Sequence, residues 1–269
     1  MLGPDASRYW HAAGGGRVPR PFRIRWLLPK VCGHNEGRWW FAWFAGWVLA
    51  AVGMFGWVVS TGASWQLAGA ASVLLLGLPG FLGPGVTIPI GVDIPATGLT
   101  LCGVALCGFG WWPVGVVLIA VAATIRETSP VWAALWLWSA WPLLALVVPL
   151  VAFKVIRSGP DPLGPRFQHI ADHPVSSALR AHRGQWRNAW VMVAPWGVCL
   201  VGLGSPSWPL VAVLVLAYAQ LLVATDTVRL VHHAAGPVLA VAAVQGIPVE
   251  WLLLAVVVHV AWWRVPERV

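Results

Sequence analysis

The sequence predicts an all-α fold, a polytopic transmembrane helical bundle of about eight or nine spans, several of them short or broken. Three observations predict it. Hydrophobic residues make up 59% of the 269 and charged residues 10%, with a mean hydropathy of +0.75. That composition leaves too little polar surface to cover a soluble globule of this size. Apolar windows of about 15 to 23 residues recur along the chain and are continuous rather than alternating. In lipid only helices and closed barrels satisfy the backbone, and continuity excludes the barrel. Many of the 21 tryptophans stand at window ends, as do Trp39, Trp40, Trp111, Trp112, Trp262 and Trp263, where an amphipathic indole favours the membrane interface.

Residues 1–38 are polar, basic and rich in Gly and Pro, and read as a loop without a hydrophobic run that could serve as a signal peptide. Within it, Pro21 to Pro29 alternates cations with apolar groups, which suits a strip lying on the interface. Apolar spans follow at 39–60, 65–83, 94–110, 112–125, 131–153, 189–204, 207–225, 230–247 and 250–263. Several fall short of the ~20 residues a perpendicular crossing needs, and read as tilted, re-entrant or half-helices. Pro79-Gly80, Gly83-Pro84-Gly85, Pro89, Pro95, Gly236-Pro237 and Pro248 interrupt or end them. The chain therefore divides into a basic outer or interfacial segment (1–38), a first membrane bundle (39–153), a basic cytoplasmic loop (154–188) and a second membrane bundle (189–269).

The net charge of +8 is unevenly placed, with seven of the 17 Lys and Arg in residues 1–38 and six more in 154–187. Such loops attract anionic head groups or phosphorylated substrates, and without a recognition fold nucleic acid is not a partner. Five spans separate the two basic segments. An odd number puts them on opposite faces, so the positive-inside rule cannot serve both. An outward basic loop is easier to justify if it handles phosphate, which places 1–38 outside. In 154–188, residues Pro174 to Arg187 suit a short basic surface helix. His169 and His173, with Asp172 between them, have the spacing of a helical metal pair but lack a third ligand, and solvated surface is the plainer reading. Cys32, Cys102, Cys107 and Cys199 show no C-x-x-C spacing and read as small apolar side chains.

Charges at a membrane boundary cost a few kcal/mol unless they pair, snorkel or face water. Arg126-Glu127-Thr128-Ser129-Pro130, an ionic pair between two apolar spans, is accordingly the foremost candidate, with Asp93, Asp226, Arg229 and Glu250 behind it. The blander alternative is that Arg126 snorkels and pairs with Glu127 merely to end a helix. Asp226 and Arg229 are three apart and share a helical face; beside His232 and His233 they line a polar pocket or form a structural clamp.

Three stretches, in order, resemble a family. Asp5-Ala6-Ser7-Arg8-Tyr9 with Pro21-Phe22-Arg23-Ile24-Arg25-Trp26-Leu27-Leu28-Pro29 resembles the first outer loop of GT-C-type membrane glycosyltransferases. Arg126-Glu127-Thr128 is similar to an R-E-T that follows a middle span there, and Asp226-Thr227-Val228-Arg229-Leu230 with Pro237 to a late D-T-x-R motif. The resemblance implies an inverting transferase of the plasma membrane that takes a sugar from a polyprenyl-phosphate carrier on the outer face and passes it to a glycan or protein acceptor. No metal or other cofactor is implied. Asp5 would be the general base. Arg25, with Arg23, would meet the carrier phosphate, Arg126 would do the same or hold Glu127 in place, and Tyr9, Asp226, Arg229 and His232 would shape the sugar or acceptor site. The chemistry suits the residue types, since a carboxylate accepts a proton and a guanidinium fork matches phosphate. The family has a helix before its acidic loop, whereas Met1 lies four residues before Asp5; the expectation is an upstream start or a truncated relative.

Two other classes stay open. One is a transporter or flippase with a cavity lined by Asp93, Glu127, Asp226 and Glu250, which broken helices suit and which an internal repeat, not found here, would favour. The other is a catalytically silent membrane scaffold.

Overall fold

The computed structural model describes residues 4–19, 22–81, 89–164, 173–182, 193–204, 206–222 and 228–262, and among these every regular element is helical. The chain forms two compact units. One comprises Met1–Gly53 and Pro84–His173, the other Met54–Gly83 and Pro174–Val269. This differs from a division at 154–188, because residues 54–83 belong with the C-terminal helices.

In the first unit, residues 1–38 are not the loop the sequence suggests. They carry α1 (Pro4–Ala13), a 3-10 turn (Phe22–Ile24) and α2 (Leu27–Cys32). Asp5 stands in the first turn of α1, where the helix dipole favours a carboxylate, and Gly15, at φ 83°, turns the chain after its end. The long helix α3 (Glu36–Ser60) starts in this unit. Then α5 (Asp93–Gly108) and α6 (Trp112–Ile125) form a hairpin, followed by α7 (Ser129–Leu137), a 3-10 stretch (Trp141–Leu146) and α8 (Val147–Val155). The 131–153 span is thus broken. Trp138 takes a left-handed conformation (φ 49°, ψ 46°) at the end of α7, and Pro142 lies in the 3-10 stretch beyond it. A core cluster of Ala6, Tyr9, Leu28, Cys32, Trp39, Ile90, Val92, Ala96 and Ile125 ties α1 and α2 to the start of α3 and to the polar ends of α5 and α6.

In the second unit, α4 (Trp65–Leu76) begins at Ser64, whose side chain accepts the Leu67 N–H. The unit continues with α9 (Pro174–His182), which falls within the basic surface helix expected at 174–187, and then a 3-10 segment (Ala194–Gly204) kinked at Gly197. Helices α10 (Trp208–Ala219), α11 (Val228–Gly246) and α12 (Leu252–Trp262) complete it. Alone among the described helices, α3 is long and apolar enough to cross a bilayer. Leu230–Gly246 and Val249–Ala261 pass that test together but are bent by 116°. Six other apolar helices have 10–17 residues.

Candidate functional site

The polar groups of the first unit gather where α1, the 3-10 turn, the α6–α7 junction and the chain after α8 meet. At the junction, Arg126 leaves the helical conformation for an extended one (φ −145°, ψ 112°). Adjacent side chains on extended backbone point to opposite sides. Arg126 accordingly pairs with Asp93 at the start of α5, and its Nε donates to Thr128 Oγ1 at 3.2 Å. Glu127 turns to the N-terminal segment, where Arg25 donates to both of its oxygens, Nε to Oε2 and Nη2 to Oε1, each at 2.7 Å. The expected Arg126–Glu127 ion pair is therefore replaced by two pairs with separate partners.

Arg25 also donates from Nη1 to the Tyr9 hydroxyl at 2.9 Å. Burial works to raise the Glu127 carboxyl, but the charge and hydrogen bonds of Arg25 override it and hold the group at about 2. Burial raises the Tyr9 phenol, against the opposing pull of Arg25. Burial disfavours the Arg25 charge, yet Glu127 and Tyr9 leave this guanidinium well above its ordinary value.

A second guanidinium belongs to Arg8, the neighbour of Tyr9 on α1. Arg8 donates from Nε (3.0 Å) and Nη2 (2.7 Å) to Oδ2 of Asp161, and from Nη1 to Oδ1 of Asp5 at 3.1 Å. The Phe22 ring joins the two arginines, with Arg8 over it at 4.8 Å, Arg25 at 5.7 Å and the Tyr9 ring edge-on at 5.3 Å. Arg23 is directed elsewhere. Its Nη2 donates to the Phe153 carbonyl at 2.9 Å and its guanidinium lies 4.7 Å from the Phe153 ring, so it caps the last turn of α8.

Of the sequence-predicted residues, the structure brings Asp5, Tyr9, Arg25 and Glu127 into one cluster, with Arg126 at its edge. Arg23 and Arg25, expected to meet a carrier phosphate, both have their guanidiniums turned to protein groups. Asp226 lies outside the described residues, as do His169 and Asp172, and of Arg229 only the helical backbone is described. His232 belongs to the second unit. There it is buried, its Nδ1 accepts the Gly80 N–H at 3.0 Å, and Trp196 packs 4.5 Å from its ring. In the same unit His259 Nε2 donates to the Leu74 carbonyl at 2.7 Å. The two histidines engage backbone groups where α4 ends.

Sequence reasoning missed Arg8 and Asp161 as site residues. Their signal was available: Asp161 is the lone acid in 154–164, set between Pro160 and Pro162, and Arg8 stands three residues after Asp5. Missed with them was the contact between the two basic segments. Arg8 pairs with Asp161, the Gly159 N–H bonds the Val18 carbonyl at 3.1 Å, and Arg23 reaches Phe153. Residues 8–23 thus touch 153–161, which cannot hold if the two basic segments lie on opposite faces of a membrane. The 131–153 run is not one span but is broken at Trp138 and Pro142, which a count of five unbroken spans does not allow for.

Comparison with protein-family models, curated proteins and solved structures finds no match for this chain.

Proposed function

We propose that the chain is a polytopic integral-membrane protein and a GT-C-type glycosyltransferase, moving a sugar from a polyprenyl-phosphate carrier to an acceptor hydroxyl. The membrane reading is supported by apolar side chains exposed at helical spacing. Phe41, Phe44, Val48, Val52 and Phe55 form such a stripe on α3, Val114, Val117 and Val121 another on α6, and Leu253, Val257 and Val260 a third on α12. In water such patches are liabilities, and in a bilayer they face acyl chains. The charges of the first unit, by contrast, collect at one set of helix ends.

The observation that carries the transferase reading is the difference among three carboxylates. Glu127 is clamped by Arg25 and held at about 2, which makes it a poor proton acceptor. The Asp161 side chain is 1% exposed beneath Arg8. The Asp5 side chain meets Arg8 through Oδ1, at 3.1 Å, and is 40% exposed, one turn from Tyr9 at the edge of the cluster. Asp5 takes the proton of the acceptor hydroxyl as its oxygen attacks the anomeric carbon. The bond from that carbon to the carrier phosphate breaks, the phosphate leaves with the electron pair, and the configuration inverts. The leaving phosphate is met by exposed Arg17 and Arg157, which flank the Val18–Gly159 hydrogen bond. With both basic segments on one face, the positive-inside rule turns that face to the cytoplasm, against the outer face the resemblance implies.

Sugar transfer from a panel of radiolabelled polyprenyl-phosphate sugars, in membranes carrying the chain or its Asp5→Asn variant, tests the reading. Transfer by the chain and its loss in Asp5→Asn is the expected result, since the amide keeps the shape but accepts no proton. One observation favours a second reading, a catalytically silent scaffold: the two bidentate clamps, Arg25–Glu127 and Arg8–Asp161, read equally as a structural lock. Absence of transfer from well-expressed chain would select it.

A further inference from the structure

Asp161 reaches the N-terminal segment from 153 residues away, and its seat is well made. Pro160 and Pro162 restrict its backbone, and the Leu163 N–H donates to its Oδ1 at 3.0 Å. The Gly159–Val18 hydrogen bond docks the segment, and a Cβ at Gly159 would run into Arg17. The effect of this seat falls on Arg8. One edge of its fork, Nε and Nη2, is taken by Asp161, and stacking over Phe22 fixes its plane. The remaining nitrogen, Nη1, is thereby aimed at Asp5, three residues back on the same helix face. A planar guanidinium held along one edge presents its last donor in one direction, which a point-charged lysine cannot do.

We propose that Asp161 is a positioning residue for the transfer reaction: through Arg8 it orients the Asp5 carboxylate toward the incoming hydroxyl. The inference rests on the transferase reading and adds to it the group that holds the base. Asp161 does not touch substrate. Its removal slows the chemical step without loosening the donor.

The test uses the full chain reconstituted in vesicles, with two readouts. The first is steady-state transfer by the chain and by Asp161→Asn, Asp161→Glu, Arg8→Lys and the charge swap Arg8→Asp with Asp161→Arg. Asp161→Asn and Arg8→Lys are expected to lower kcat tenfold or more with the donor KM within twofold, and Asp161→Glu to restore most of the rate. The charge swap should recover folded yield but not kcat, because a carboxylate at position 8 repels Asp5. The second readout needs no activity. It is the rate at which a hydrophobic carbodiimide labels Asp5, read by peptide mass spectrometry, because a carboxylate held in an ion pair is a poor target. Labelling severalfold faster in Asp161→Asn than in the unaltered chain supports the clamp. Unchanged labelling, wild-type kcat per folded molecule in Asp161→Asn, or recovery of kcat by the swap overturns it. If the unaltered chain transfers no sugar, the transferase reading fails, and the labelling rates still decide whether Asp161 holds Asp5 through Arg8.

Discussion

Arg126 and Glu127 are neighbours in sequence that serve different partners, and the reason lies in one backbone residue. The extended conformation at Arg126 sends it to Asp93 and Glu127 to Arg25. The presence of charges at this boundary was legible in the sequence because charge is rare here. Their pairing was not, since it is set by contacts across 102 residues. Asp161 stood out as the lone acid between two prolines, but its role was not legible for a related reason, as an acid in a basic loop reads as a solvated counter-charge until its partner is seen. The Arg25–Glu127 pair carries a pH prediction. Glu127 has its ordinary value near 4.5 when unfolded and about 2 when folded, so it contributes stability that is fully present above pH 4.5 and is lost as the pH falls toward 2. Glu127→Gln should lower stability at pH 7 by about 2–3 kcal/mol, less than removing one partner of a fully buried pair because both side chains still meet solvent. It should also flatten the decline between those pH values. Unfolding in detergent across pH 7 to 3 measures both effects.

Helices were legible wherever the apolar run was long and continuous: the segments at 65–76, 112–125 and 208–219 fall inside the expected spans, and 93–108 starts one residue before its expected span. The short helices α1 and α2 were not. Their composition is polar and interrupted by Gly and Pro, and their stability comes from Tyr9, Leu28 and Cys32 packing against Trp39 and Ile125 rather than from a periodic face. The break in 131–153 had a signal in Pro142, which cannot donate to the preceding turn. Close helix packing through glycine supplies the next prediction. A Cβ at Gly115 of α6 meets the Gly103 carbonyl oxygen at 2.6 Å and Cys107 Sγ at 2.5 Å, whereas one at Gly69 of α4 meets nothing within 4 Å. Gly115→Val should destabilise by about 1–3 kcal/mol or more. Gly69→Ala should be neutral or stabilising by up to about 1 kcal/mol. Parallel unfolding curves compare them.

For the whole molecule, composition announced the helical class and the scarcity of charge, whereas the contact between the two basic segments could not be read from a count of spans. In the structure Asp5, Arg8, Tyr9, Arg25, Glu127 and Asp161 form one cluster from three distant parts of the chain, and the proposed chemistry depends on that joint placement. The measurement that tests it most directly is sidedness. Single cysteines at Arg17 and at Arg157, in a background with Cys32, Cys102, Cys107 and Cys199 replaced by alanine, are labelled by a membrane-impermeant maleimide in intact cells and in inverted vesicles. The two positions should react from the same side, and by the charge rule only in inverted vesicles. Reaction from opposite sides would separate Arg8 from Asp161 by a membrane and contradict the account at its foundation.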